Sequence, residues 1–165
     1  MSRRLTGSII AAAVVLAVLT QVPGAYASEW RPPVEGGVML LGFGATYPGG
    51  THRGVDIRAT AGAVVASPAA GVVVFAGQVP ADGGGTCGAV TVELADGRRM
   101  SLLPLDGMTV TAGDAVVAGD ALGRTAASGD DSSSEAHLHV GLRRGDLYLD
   151  PGELTAVAGP FRVEA

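Results

Sequence analysis

The stretch VTVELADGRRMSLL, Val90–Leu103, carries the strongest fold signal in this sequence. Two apolar runs, 90–94 and 99–103, flank Ala95–Arg98, which contains an Asp-Gly pair. An Asp-Gly pair between two such runs is typical of a tight β-hairpin turn, because the glycine accepts the positive φ angle that the turn requires. The stretch therefore predicts two antiparallel strands joined at 95–98.

Similar runs continue on both sides of this hairpin. Val72–Phe75 is another short run rich in valine, and glycine and aspartate turns separate such runs at short intervals. No long amphipathic helix pattern is visible after the N-terminal segment. We therefore expect an all-β fold, an antiparallel sheet assembly whose open face brings together residues that are far apart in the sequence.

The chain has only three histidines, and they fall into two clusters. His52 opens a five-residue run that ends at Asp56, and His137 and His139 flank Leu138. Side chains alternate between the faces of a strand, so the second pair of histidines points to one side. Imidazoles and a carboxylate are the ligands of a catalytic zinc. We interpret the clusters as a metal site; isolated surface or core histidines are the alternative.

These clusters resemble the motifs of the M23 peptidases, the lysostaphin-like zinc endopeptidases of bacterial cell walls. In that family a His-x-x-x-Asp motif and the second histidine of a His-x-His motif hold the zinc. The resemblance implies that His52, Asp56 and His139 bind Zn2+ and that His137 is a catalytic histidine. A role for Asp56 as an orienter of His52, or as a solvated turn residue, is the alternative.

The resemblance extends beyond the two clusters. Ala70–Gly77 is similar to the family strand that crosses behind the metal, and Gly113–Gly123 is similar to the glycine-paced loop and strand before the last motif. The similar region runs from about Gly42 to Pro151. It implies the antiparallel β-sheet core of the M23 peptidases, a fold of the lysostaphin-like, duplicated-hybrid-motif type. The lack of lysine, with abundant alanine, glycine and valine, indicates a high-GC bacterial source of actinobacterial type.

One position departs from the family pattern. Family members usually carry a second catalytic histidine in an aromatic-x-His-Leu motif, and the best register puts Leu102–Leu105 there, with Pro104 at the histidine position. Proline has no ionisable side chain, so it cannot transfer a proton. Either His137 works alone, or the reaction is slow, or the chain is not an enzyme.

Two functions follow from the resemblance. The first is a secreted zinc metalloendopeptidase that hydrolyses peptide bonds in peptidoglycan. The second is a catalytically degenerate relative that serves as a cell-wall binding or hydrolase-activator module, with another cell-wall hydrolase as its partner. The intact ligand set favours the enzyme, whereas Pro104 favours the degenerate relative.

The N-terminal segment predicts export. Arg3 and Arg4 precede the apolar stretch Ile9–Leu19, and Ala25–Ala27 offers small residues at the usual cleavage spacing. We expect a secretory signal peptide, cleavage after Ala27, and an extracytoplasmic location at the cell wall. An uncleaved anchor is the alternative, in which case the chain contacts the membrane only through this segment.

The predicted organisation is a signal peptide over 1–27, a lead-in over 28–41, an M23-like domain over 42–158 and a tail over 159–165. The 138 residues after the signal are enough for one domain. They hold nine arginines and 16 acidic residues, a formal charge of −7, which argues against nucleic acid as a partner. We expect a monomer that acts on peptidoglycan peptides.

A few further residues are candidates for minor roles. Cys87 is the only cysteine, so no internal disulfide forms. We expect it to be a small buried side chain at a strand start; a reactive thiol, an intermolecular bridge or a fourth metal ligand is the alternative. Tyr47 and Tyr148 are candidates for lining a substrate groove. The tripeptide Arg144–Asp146 is interpreted as an incidental hairpin turn.

Overall fold

A computed structural model describes residues 30–81, 84–127, 135–155 and 162–163. The predicted signal peptide lies outside the described residues, as do residues 128–134 before His137 and most of the predicted tail. No helix in the described ranges is long and apolar enough to cross a membrane.

Strands are the main regular structure of the described residues, with one short helix, which confirms the predicted all-β class. In chain order the elements are β1 (Val38–Leu41), β2 (Thr46–Tyr47), β3 (Gly50–Thr51), β4 (Gly54–Arg58), β5 (Val64–Ala66), β6 (Gly71–Pro80), β7 (Thr86–Leu94), β8 (Arg99–Asp106), β9 (Ala115–Val116), β10 (Ala121–Thr125), β11 (His137–Arg144), β12 (Leu147–Leu149), α1 (Gly152–Thr155) and β13 (Arg162–Val163).

Eleven of these strands belong to one sheet. Its main path runs β13-β1-β4-β11-β8-β7-β6-β9, while β5, β10 and β12 join beside this path. The pairs within it are antiparallel apart from β1 with β13. Strands β2 and β3 form a separate hairpin. The central strands β4, β11 and β8 are neighbours in this sheet and pair without irregularity.

The hairpin predicted from the opening stretch is confirmed. Strands β7 and β8 pair with Glu93 opposite Arg99, and Gly97 between them has a φ of 79°. The carboxylate of Asp96 accepts a hydrogen bond from the backbone N–H of Arg98 at 3.0 Å, which stabilises the turn.

The two faces of the sheet differ in chemistry because side chains alternate along β11. Leu138, Val140 and Leu142 are at most 1% exposed and point into the core. The main members of that core on the neighbouring strands are Val55, Ile57, Val90, Val92, Met100 and Leu102. The residues that alternate with them, including His139 and Arg143, point to the opposite side. We call this side of β4, β11 and β8 the site face.

Candidate metal centre

Three side chains from the two histidine clusters meet on the site face. His52 Nε2 lies 3.1 Å from Asp56 Oδ1 and 3.0 Å from His139 Nδ1. His139 Nδ1 lies 2.9 Å from the same Asp56 oxygen. The fold therefore brings together residues 87 positions apart in the chain, with one nitrogen or oxygen from each pointing to a common centre.

The strand pairing explains this convergence. Strands β4 and β11 pair antiparallel with His139 directly opposite Asp56, and directly opposite residues point to the same face. His52 lies just before β4, where its backbone N–H donates to the carbonyl of Ala45 at 2.8 Å. Its carbonyl accepts from the N–H of Gly44 at 2.9 Å, so both sides of its peptide backbone are held.

The contact made by the second ring nitrogen of His52 indicates which of the two nitrogens carries the proton. Nδ1 lies 3.0 Å from the carbonyl oxygen of Gly42. A carbonyl only accepts hydrogen bonds, so Nδ1–H donates to it, and the neutral ring then keeps the Nε2 lone pair for the centre. A histidine held in this way by a backbone carbonyl is the usual arrangement for a metal ligand.

The donor set fits a zinc ion. Zinc bonds to nitrogen and oxygen are about 2.0–2.2 Å, which puts the ligand atoms of a tetrahedral site roughly 3.3 Å apart. The three atom pairs here are separated by 2.9–3.1 Å. His52 and Asp56 are buried, whereas His139 is 21% exposed, so the centre is open on one side. Two histidines and one carboxylate that leave such an opening match the ligand pattern of a catalytic zinc.

Gly54 makes room for the His139 ring, a role that the sequence alone did not reveal. A Cβ atom at position 54 would lie 2.6 Å from His139 Nε2 and 2.5 Å from the carbonyl oxygen of Val140. Real Cβ atoms do not approach other atoms this closely, so a side chain at this position would displace the ring or the strand. The glycine inside the His52–Asp56 run is the signal that could have indicated this close approach.

His137 lies beside the three converging side chains and is fully buried. Its Nδ1 atom lies 2.7 Å from the carbonyl oxygen of Glu135, so Nδ1–H donates there, and its Nε2 lies 3.8 Å from Asp56 Oδ2. Arg58 lies opposite His137 on β4 and pairs with the Glu135 carboxylate at 2.9 Å. The histidine is thus fixed next to the centre with Nε2 directed towards it.

The position of the missing family histidine is apolar in this structure. On β8 the residue directly opposite His139 is Leu103, and Pro104 next to it is buried. Neither side chain can donate or accept a proton. Strand β8, which is described over its full length, therefore places no acid or base directly opposite His139.

The remaining candidates have different surroundings. The Tyr47 ring makes an edge contact with His52, with ring centroids 6.0 Å apart, so it lies beside the candidate metal centre. Tyr148 lies farther along the site face, opposite Arg143, with the Arg53 guanidinium 5.2 Å from its ring centroid. Cys87 is half-buried in β7 opposite Val79, rather than buried as expected, and it is not part of the metal-type cluster.

A sequence model described as peptidase family M23 matches residues 50–151. None of the curated proteins compared with the chain matches it significantly in sequence. The matched region includes both histidine clusters and Pro104.

Solved structures share the fold. The antimicrobial peptidase lysostaphin from Staphylococcus simulans is 28% identical with a TM-score of 0.64, and the match covers 75% of this chain and 51% of that one. Its separately crystallised catalytic domain is 27% identical with a TM-score of 0.58, and the match covers 68% of this chain and 87% of the domain. These matches confirm the predicted lysostaphin-like fold.

A zinc-containing peptidase from Vibrio cholerae has the same fold. It is 24% identical with a TM-score of 0.63, and the match covers 74% of this chain and 39% of that one. The chain thus spans about half the length of lysostaphin and less than half the length of the Vibrio cholerae peptidase.

Proposed function

Because the chain belongs to peptidase family M23, we propose that it is a secreted zinc metalloendopeptidase that hydrolyses peptide bonds in bacterial peptidoglycan. The observation that carries this proposal is the convergence of His52 Nε2, Asp56 Oδ1 and His139 Nδ1 within 3.1 Å of one another. The likeness to lysostaphin, an antimicrobial peptidase, supports the cell wall as the substrate.

In this proposal His52, Asp56 and His139 hold the zinc. When bound, zinc supplies an activated water at neutral pH and polarises a carbonyl group. The Gly42 carbonyl keeps the His52 lone pair directed at the centre. The buried Asp56 supplies the one negative charge of the ligand set, which offsets part of the charge of a divalent ion.

His137 is the proposed acid-base group. Its Nδ1–H is held by the Glu135 carbonyl, which leaves Nε2 as the atom that takes up or gives back the proton during hydrolysis. Nε2 lies 3.8 Å from Asp56 Oδ2, so it is directed towards the metal centre. A single acid-base group is typically worth about 10²–10⁴-fold in rate, so one histidine is enough for a slow hydrolase.

The alternative function is a degenerate relative that binds cell wall or activates another hydrolase. Leu103 opposite His139, with Pro104 beside it, favours this alternative because the family's second proton-transfer group is absent there. The complete donor set favours the enzyme, because a module that only binds peptide has no need of a zinc position with an open side.

Two variants on one strand separate the two proposed roles. His139→Ala and His137→Gln alter neighbouring site-face residues of β11. We expect the first to lose both zinc and peptidoglycan hydrolysis. We expect the second to keep about one zinc per chain and to lose at least about 100-fold in rate. Zinc is measured by elemental analysis, and hydrolysis is measured by the new amine termini released from purified peptidoglycan.

The outcomes discriminate between the functions. Zinc in the wild-type protein without amine release would support the degenerate relative. Absence of zinc from the wild-type protein would contradict the metal centre itself. Full activity in His137→Gln would contradict the proposed proton transfer while leaving the zinc ligands intact.

Secretion is the part of the proposal that rests on the N-terminal sequence. The paired arginines, the apolar stretch and the small residues before 28 support export by a signal peptide. N-terminal sequencing of the protein from a culture supernatant tests this directly. A terminus at Ser28 is the expected result, and retention of residues 1–27 in a membrane fraction would support the anchored form.

A further inference from the structure

We propose that Arg143 and Arg99 form a binding site for a carboxylate of the peptide substrate, on the same face of the sheet as the metal centre. The nature of the ligand as substrate rests on the proposed function. The site itself rests on the placement, charge and surroundings of the two arginines.

Both arginines are aligned with the metal centre. Arg143 follows His139 by four residues on β11, and the pairing of β11 with β4 and β8 has no irregularity over the paired residues. Residues at even spacing on a strand share a face, at about 3.3 Å per residue. Arg143 therefore lies roughly 13 Å from the metal ligand, and Arg99 lies directly opposite it on β8.

The pairing of these two residues is electrostatically unfavourable by itself. Like charges directly opposite each other in an antiparallel pair are destabilising. Glu93 balances Arg99, with Arg99 Nε 2.8 Å from its carboxylate. Arg143 has only Arg99 and Tyr148 as its cross-strand partners, and no acidic side chain among the described residues forms an ion pair with it.

Two other arginines at this end of the sheet share one acidic partner. Arg98 and Arg144 both pair with Asp96, at 2.6 Å and 3.7 Å. Arg53 adds further positive charge beside Arg143, because its guanidinium lies over the ring of Tyr148. A chain with a formal charge of −5 thus carries a local positive excess on its site face. An anionic ligand would relieve this excess.

Small residues lie on the site face between the two arginines and the metal centre. Gly141 lies between His139 and Arg143 on the same face of β11, whereas the place above Gly54, opposite it on β4, is taken by the His139 ring. Ser101 lies on the other side of Gly141, and its hydroxyl is 2.8 Å from that of Thr91. The small residues Gly141 and Ser101 would let an extended peptide pass along β11 and β8 from the metal centre to Arg143.

A peptide carboxylate is the anion that fits. Arginine presents a planar fork that binds a carboxylate through two parallel hydrogen bonds. A carboxylate about four residues from the cleaved bond would reach Arg143 in an extended chain. Cross-linked stem peptides carry free carboxylates in addition to the bonds that the proposed enzyme cleaves, whereas a polyanionic polymer would be repelled by the acidic remainder of the chain.

The test compares two soluble cross-linked stem-peptide dimers that differ only in having carboxylate or carboxamide termini. Cleavage and binding of both are measured for the zinc-loaded full chain, for Arg143→Gln and for Arg144→Gln. Arg144 is the matched control, because it is the adjacent residue, is more than half exposed and pairs with Asp96. Binding is measured by fluorescence anisotropy of labelled dimers.

We expect the wild-type protein and Arg144→Gln to favour the carboxylate dimer by about tenfold to a hundredfold, mostly through KM. Arg143→Gln should reduce that preference to about twofold or less, with unchanged zinc content. Cleavage without any carboxylate preference, or a preference unchanged in Arg143→Gln, would overturn the inference and leave the proposed hydrolase standing. An Arg143-dependent binding preference without cleavage would support the site and contradict the hydrolase.

Discussion

His139 lies directly opposite Asp56 in the β4–β11 ladder, and its Nδ1 atom is 2.9 Å from Asp56 Oδ1. A slip of this ladder by one residue would turn His139 into the core and Leu138 onto the site face, because side chains alternate along a strand. The core residues flanking His139 fix the pairing that assembles the candidate metal centre. Metal binding is therefore coupled to the stability of the central sheet.

This coupling predicts that zinc stabilises the folded chain. A ligand that binds only the folded state adds about 4 kcal/mol to the free energy of unfolding when its free concentration is about 1,000 times its Kd. We expect urea unfolding to shift accordingly when zinc is added to the metal-free protein, and the shift to disappear in Asp56→Asn. A zinc-dependent shift of equal size in that variant would contradict the assignment of Asp56 as a ligand.

A substitution at Gly54 tests the close approach of β4 to the His139 ring. A Cβ atom in Gly54→Ala would meet the His139 ring at 2.6 Å and a backbone oxygen at 2.5 Å, so we expect weaker zinc binding and a loss of about 1–3 kcal/mol in the free energy of unfolding. Gly141→Ala is the matched control, because its Cβ would lie 3.6 Å from the same ring. Zinc titration and urea unfolding measure both effects, and equal behaviour of the two variants would contradict the close approach.

The convergence of His52, Asp56 and His139 could be predicted from the sequence, because histidine is rare in this chain and each cluster carries a recognisable spacing. The role of Gly54 could not, since spacing along the chain does not show which ring approaches which backbone. The sequence also did not show that Arg99 and Arg143 are cross-strand neighbours. These residues are 44 positions apart, and only the pairing of β8 with β11 places them opposite each other.

The position of the missing histidine shows a similar limit. Similarity to the family put Pro104 at that position, and a proline side chain cannot transfer a proton. The strand register then shows that Leu103, and not Pro104, is the residue opposite His139. Register depends on the neighbouring strands, so it could not be predicted from the β8 sequence by itself.

We expect the Asp96 carboxylate to make a small, pH-dependent contribution to the stability of the fold. Partial burial alone would raise the pKa of Asp96, but hydrogen bonds and the positive charge of Arg98, together with Arg144, hold that pKa below its ordinary value. A carboxyl with a lowered folded-state pKa stabilises the fold above its unfolded-state pKa, and this stabilisation is lost as the pH falls through the folded-state pKa.

We therefore expect Asp96→Asn to be less stable than the wild type at neutral pH. Solvent screening keeps the loss to about 0.2–1 kcal/mol, because the Asp96 side chain is 43% exposed. The difference should vanish in acid below the folded-state pKa. Urea unfolding from pH 7 down to about pH 2 measures it, and a difference that stays constant over this range would contradict the electrostatic origin.

Leu103→His tests whether the missing proton-transfer group limits the proposed hydrolysis. Leu103 is directly opposite His139, so an imidazole there lies on the site face beside the metal centre, where the present side chain cannot transfer a proton. We expect peptidoglycan hydrolysis to rise by at least about tenfold, a lower bound set beneath the 10²–10⁴-fold typical of a well-positioned acid-base group. Leu103→Gln, which has polarity but no titratable ring, should show no such rise. An equal rise in both variants would indicate a change in substrate access, whereas no rise in Leu103→His with zinc content unchanged would contradict proton transfer as the limiting step.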